Sequence, residues 1–140
     1  MAELILEPYA AHLSWRHPED RTLEEWQALF ADLLAGLAEA CAADEARVIG
    51  HVKGLGVLPD GSFLNGSTVT PNRPPDVEIH RANGGRSAEM ELTLNVLVYG
   101  LPRPEAQRLV SEVSERLAAR EGIDLDISPA RTAAAAHTHT

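Results

Sequence analysis

The pattern that most constrains this chain is a regular alternation of polar and apolar residues between Glu89 and Val98. Successive side chains of a β-strand point to opposite faces, so the pattern predicts a strand with one buried face and one mostly hydrated face. Such a strand needs a second layer to cover its apolar side. The predicted buried side carries Met90, Leu92, Leu94, Val96 and Val98.

Two stretches have the spacing of amphipathic helices and can supply that layer. The first covers residues 23–42 and follows Thr22, which forms the capping-box pattern with Glu25. The second covers about residues 104–120 and is followed by Gly122, a residue type suited to the position just past a helix end. Their apolar stripes contain Leu23, Trp26, Phe30, Leu33, Leu34, Leu37 and Cys41, and Ala106, Leu109, Val110, Val113 and Leu117.

A hairpin is predicted between the first helix and the long strand. Pro59-Asp60-Gly61 separates two β-compatible runs, at 47–58 and 62–70. Proline presets the first turn dihedral and glycine supplies a positive φ, which together favour a tight turn. The first run carries Gly50, Gly54 and Gly56 on one parity, which favours either a bulge or a close backbone approach, with a bulky helix residue such as Trp26 or Phe30 lying over the glycines.

The remaining segments give weaker patterns. Residues 1–21 are interpreted as a short strand followed by an irregular arm, and 71–87 as a long loop with a short extended piece at 77–79. Ile123, Leu125 and Ile127 alternate with polar residues and predict a final short strand. The Ala-rich end at 131–140 is predicted to be a disordered tail, which leaves 22–130 as one domain.

These elements predict an α+β fold with two helices on one face of a mostly antiparallel sheet, ferredoxin-like or a close variant. The other face of the sheet is then left outside the helical layer. We expect Ile49, Leu55 and Val57 to lie there among polar side chains. An uncovered face of this composition favours burial by another subunit.

Composition narrows the classes of partner. The 140 residues carry a formal net charge of -9, which disfavours binding to nucleic acid or anionic lipid. The single cysteine, Cys41, rules out an internal disulfide and falls at an apolar helical position. The first residues include Glu3 and Glu7 and no basic segment, so we expect no signal peptide and a cytoplasmic location.

The candidate ligand or partner face is built around His51 and Lys53, which are two residues apart on one predicted strand and point the same way. Opposite them we expect Glu91 and Asn95 from the long strand, with His80 and Arg81 contributed by the 71–87 loop. Two interpretations stay open. The group is either an acid–base or anion-binding pair, or a polar sheet face with cross-strand charge pairs.

No motif predicts a catalytic residue, a cofactor or a metal centre. Gly54 and Gly56 do not extend to a dinucleotide-binding pattern, and no serine lies in a nucleophile elbow. His137 and His139 form a terminal pair that binds metal weakly unless further ligands are fixed beside it. Whether the chain is an enzyme is therefore left undecided.

The leading hypothesis is a small binding or assembly module that acts as a homo-oligomer or with a larger protein partner. The absence of a site motif and the semi-apolar sheet face favour it. The alternative is a small enzyme or anion-binding protein, with a pocket between the sheet face and the 71–87 loop.

Overall fold

The computed structural model describes residues 5–130, which form two helices and one six-stranded antiparallel sheet. The predicted α+β class is confirmed. The strand order is β4-β3-β2-β5-β1-β6, which differs from the four-stranded ferredoxin-like order, so that finer assignment is not confirmed. The elements are β1 (Tyr9–Thr22), α1 (Leu23–Ala42), β2 (Val48–Val57), β3 (Phe63–Thr68), β4 (Asp76–His80), β5 (Arg86–Tyr99), α2 (Arg103–Glu121) and β6 (Asp124–Pro129).

Both helices pack on the same face of the sheet and contact each other. The alternate residues of β5 from Met90 to Val98 are buried beneath them, as the period-two pattern predicts. β1 adds a second buried row beside β5. That row consists of Tyr9, Ala11, Leu13 and Trp15.

The start of α1 is fixed by its own cap and by one tryptophan. The Thr22 hydroxyl accepts the Glu25 N–H at 3.1 Å, and the Glu25 carboxylate accepts the Thr22 N–H at 2.8 Å, so the predicted capping box is confirmed. Trp26 stacks on Trp15 with ring centroids 6.1 Å apart. Its indole N–H donates to the Ser87 carbonyl at 3.0 Å, which ties α1 to the beginning of β5.

α1 lies close to the sheet where two glycines face each other. Gly54 of β2 pairs with Gly66 of β3, and the Phe30 ring covers both. The prediction that Phe30 lies over the strand glycines is thereby confirmed for Gly54. A side chain at either position would fill the space that the ring occupies.

Residues 9–22 form a 14-residue strand, where the sequence predicted an irregular arm. β1 pairs with β5 on one side and with β6 on the other, so it lies inside the sheet. Its alternation from Tyr9 to Trp15 supplies the driving force, because each buried side chain contacts the core. A register shift between Arg16 and Arg21 leaves 17–20 as a bulge, which hid the strand's continuation.

The long loop predicted at 71–87 is wrong, but the short extended piece predicted within it at 77–79 is confirmed as a strand. Asp76–His80 forms the edge strand β4, and β5 already begins at Arg86, so only short connections remain on either side. Val77 and Ile79 pack against the core, which is why this short segment is held as a strand. The tail predicted at 131–140 lies outside the described residues, and the division of the chain into domains stays a prediction.

The connection 81–85 carries the chain from β4 to β5 past the β2–β3 turn. The Asp60 carboxylate accepts the Ser62 N–H at 2.8 Å and the Gly85 N–H at 3.0 Å. The Ser62 hydroxyl accepts the Ala82 N–H at 3.0 Å. The β2–β3 turn and the 81–85 connection are thus joined by hydrogen bonds, and Asp60, one of the predicted turn residues, takes part in them.

Candidate functional site

The candidate site is the sheet face turned away from the helices, here called the open face. It is made of the strand residues that alternate with the buried ones. Its main side chains are His12, Ser14, Arg16, His51, Lys53, Leu55, Val57, Phe63, Asn65, Ser67, Asp76, Glu78, His80, Glu89, Glu91, Thr93, Asn95, Leu97, Asp124 and Asp126.

A bulge in β2 decides which of its residues reach the open face. Ile49 pairs with Val98, whereas His51 pairs with Leu97, so one residue of β2 is extra at Gly50. Ile49 therefore packs against the core. The expectation that Ile49 lies on the open face with Leu55 and Val57 is wrong, because the bulge reverses the parity between them.

The predicted site residues fall at two ends of the open face. Lys53 pairs directly with Asn95, and His51 lies one pair further along β2. Glu91 instead pairs with Val57, six residues from His51. Six residues of strand span roughly 20 Å, so His51 and Glu91 do not share an acid–base pair.

Glu91 is bound by two β1 side chains that the sequence analysis did not assign to the site. The same carboxylate oxygen accepts from His12 Nε2 and from the Ser14 hydroxyl, each at 2.7 Å. Partial desolvation raises the pKa of Glu91, but the bonds from Ser14 and His12 outweigh it and lower the pKa overall. The signal for this cluster was present in the sequence, since His12 and Ser14 alternate with Leu13 and Trp15.

His51 lies in a less polar position than His12. It is partly buried on the open face, and burial lowers its pKa, with the nearby Lys53 charge lowering it further. The neutral imidazole is therefore the favoured form near neutral pH.

His80 and Arg81 follow each other but have different neighbours. His80 stacks on Phe63 at the β4 edge of the open face, with ring centroids 4.4 Å apart. Arg81 forms an ion pair with Glu24 of α1 and donates to the Gly84 carbonyl at 3.3 Å. Arg81 thus fastens the 81–85 connection to the helix, at a distance from the Lys53–Asn95 pair.

A shallow trough of about 240 Å³ crosses β3 on the open face. Lys53 forms one wall, and the carboxylates of Asp76 and Glu78 form the other. Asn65 and Ser67 lie between them and supply short polar side chains. This is where the sequence analysis expected a pocket, but two carboxylates accompany the single amine.

Apolar side chains occupy the centre of the open face. Leu55 is 41% exposed and Val57 is 38% exposed, whereas the leucines on the opposite face of β5 are fully buried. Phe63 pairs with Val57 on the neighbouring strand β3 and is partly exposed. The centre of this face is therefore hydrophobic and accessible.

Within residues 5–130, no group of three or more histidine, cysteine or acidic side chains is arranged to hold a metal ion. No helix of that part of the chain has the length and apolarity needed to cross a bilayer.

No protein-family model, curated protein or solved structure gives a significant match to this chain.

Proposed function

We propose that the protein is an assembly module that binds a second copy of itself through the open face. The observation that carries this proposal is the exposed apolar centre around Leu55 and Val57 on a sheet that has helices on one side only. A contiguous exposed apolar surface of this kind commonly marks a protein–protein contact.

The size of the open face supports the proposal. Six strands spaced about 4.8 Å apart measure roughly 25 Å across, and eight residues of paired strand measure about 27 Å along. Their product is roughly 700 Å², close to the ~800 Å² that each partner contributes to a standard stable interface. A second copy laid on this face would therefore bury enough area for specific association.

Except for Lys53, which lies next to Leu55 on β2, the charges of the open face are either paired or placed on the outer strands. His12 and Glu91 satisfy each other, and Arg16 lies 3.9 Å from Glu89. The other acidic side chains occupy the outer strands, with Asp76 and Glu78 on β4 and Asp124 and Asp126 on β6. Charges at a rim stay hydrated, so an apolar centre with an acidic rim resembles the layout of known interfaces.

We further propose that the fold is a ferredoxin-like variant. Strands β6, β1, β5 and β2 are adjacent in that order and alternate in chain order with α1 and α2. Strands β3 and β4 then form an added hairpin beside β2. We also expect a cytoplasmic protein that binds proteins rather than nucleic acids or membranes, in line with its net charge of -9.

The proposal is tested by sedimentation equilibrium at micromolar concentration with the wild type, Leu55→Asp and a control, Ala119→Asp. Ala119 is exposed on α2, away from the open face. We expect a dimer for the wild type and the control, and a monomer for Leu55→Asp that circular dichroism shows to be folded. A monomeric wild type, or a Leu55→Asp variant that stays dimeric, would refute the open-face dimer.

The trough beside Lys53 favours a second candidate, a small-molecule binding protein or enzyme. Because Asp76 and Glu78 face Lys53 across β3, a ligand carrying both an acidic and a basic group fits better than a simple anion. Calorimetric titration with glycine and with inorganic phosphate, on the wild type and Lys53→Met, tests it. Binding that Lys53→Met abolishes would support this candidate, and no heat with either probe would count against it.

A further inference from the structure

We propose that acidification dissociates the open-face dimer, and that His51 is the side chain whose protonation causes it. This inference rests on the dimer proposed above and assigns its regulation. The described residues place three histidines on the open face, namely His12, His51 and His80. Their surroundings differ enough to single out one.

None of the side chains next to His51 carries a negative charge that would stabilise its protonated form. On β5 it faces Leu97, with Tyr99 one pair further along, and on its own strand the next side chain of the same face is Lys53. On β3 the next residue in register is Val69, which is 60% exposed and apolar. The nearest carboxylate on β4 is Asp76, which lines the trough together with Lys53.

A second copy laid on this region would remove more water from His51. None of the side chains beside His51 would supply a negative charge to compensate. Desolvation and the Lys53 charge already lower the pKa of His51 in the single chain. Further burial lowers the pKa again, because it disfavours the charged imidazolium. The dimer then binds fewer protons than two separate chains, so a fall in pH favours dissociation.

The other two histidines are placed so that protonation is tolerated. His12 lies 2.7 Å from the Glu91 carboxylate, where a positive imidazolium strengthens an existing ion pair. His80 lies on the edge strand β4, where it stacks on Phe63 and stays exposed to water. Protonation of either therefore places no uncompensated charge in a buried part of the contact.

The experiment is sedimentation of the wild type, His51→Gln, His12→Gln and Lys53→Gln over a concentration series between about pH 8 and about pH 5. For the wild type we expect the dimer Kd to rise about tenfold or more across this range. His51→Gln should lose most of that dependence, and His12→Gln should keep it whatever its affinity at neutral pH. Lys53→Gln should move the transition to higher pH, because it removes the charge that lowers the His51 pKa.

The outcomes separate the two proposals. A wild type that is monomeric at every pH refutes the dimer itself. A dimer whose Kd does not change with pH refutes only the role of His51, as does a pH dependence that survives in His51→Gln or disappears in His12→Gln. Circular dichroism at each pH establishes that the chains remain folded. If His51→Gln does not fold, the shift of the transition in Lys53→Gln, at an exposed residue, tests the role of His51 independently.

Discussion

Phe30 lies directly against Gly54, with two ring carbons 2.9 Å from the position that a Cβ atom of Gly54 would take. Another ring carbon lies 2.6 Å from the corresponding position of Gly66, on the neighbouring strand. Real Cβ atoms do not approach other heavy atoms this closely. The pair of glycines therefore determines how near α1 can come to the sheet.

Alanine at Gly54 or Gly66 should consequently destabilise the protein. Either methyl group would force the Phe30 ring away from the strands, at a cost of about 1–3 kcal/mol in the free energy of unfolding. Urea unfolding followed by tryptophan fluorescence measures the change. The control is Gly84→Ala, where no atom lies within 4 Å of the new methyl group, and it should be neutral or stabilise by up to about 1 kcal/mol.

Arg47 should contribute more to stability than an exposed arginine in a similar ion pair. Its side chain is 9% exposed, lies 3.4 Å from Glu105 of α2 and donates to the Ala40 carbonyl at 3.5 Å. Arg47→Met should lower the free energy of unfolding by about 2 kcal/mol, because these partners lose a buried guanidinium.

The matched control for Arg47 is Arg120→Met. Arg120 also joins the two helices, at 3.2 Å from Asp32, but its side chain is 60% exposed. Its loss should change stability by less than about 0.5 kcal/mol, since water screens such pairs. Equal losses for the two variants in chemical denaturation would contradict the assignment.

Asp60 should stabilise the fold at neutral pH and cease to do so in acid. The backbone N–H of Ser62, and then that of Gly85, lower the pKa of Asp60 by binding its ionised carboxylate. A carboxyl group whose pKa is lower when folded stabilises above its unfolded pKa and loses that effect as the pH falls through the folded value. Asp60→Ala should therefore unfold at lower urea than the wild type at pH 7.

In strong acid the two urea midpoints should converge, because both chains then lack the carboxylate. Glu45→Ala, at an exposed position after α1, should match the wild type in both conditions. An Asp60→Ala variant with the same deficit at both pH values would show that geometry, not charge, explains its effect.

Cys41 should be unreactive in the folded chain. It is 1% exposed, and burial raises the pKa of its thiol, so the reactive thiolate is scarce even in mild alkali. A chromogenic disulfide reagent at about pH 8 should label it only after urea is added. Rapid labelling without denaturant would contradict the placement of Cys41 in the core.

The elements with long, unbroken patterns were predictable from the sequence. Residues 23–42 form a helix with the expected bounds, and the alternation ending at Val98 became β5. Two short strands, β3 and β6, also lie where the sequence predicted them. The full extent of β1 and β4 was not predicted, because these strands are held by neighbours distant in sequence. β4 has only five residues beside Pro75, and it is a strand because Val77 and Ile79 reach the core.

The candidate site was also predictable only in part, because alternation along one strand is visible in the sequence and contacts between distant strands are not. The Lys53–Asn95 pairing follows from two alternations that the sequence displays. The side on which Ile49 points depends on an extra residue at Gly50. A strand glycine favours either a bulge or a close approach of another segment, and the three glycines of β2 did not show which of them marks the bulge. The His12–Glu91 contact joins residues from strands far apart in the chain, which only the sheet order brings together.

The position of β1 has a consequence for how the protein is made. Leu13 pairs with Leu92 on one side and with Ile127 on the other, so β1 cannot complete its two pairings until β5 and β6, far along the sequence, have been synthesised. Contacts of such long sequence separation slow folding, because the chain must close large loops before they form. On the ribosome, β1 therefore has no native neighbour in the sheet until β5 emerges, and during that interval Leu13 and Trp15 remain available to chaperones.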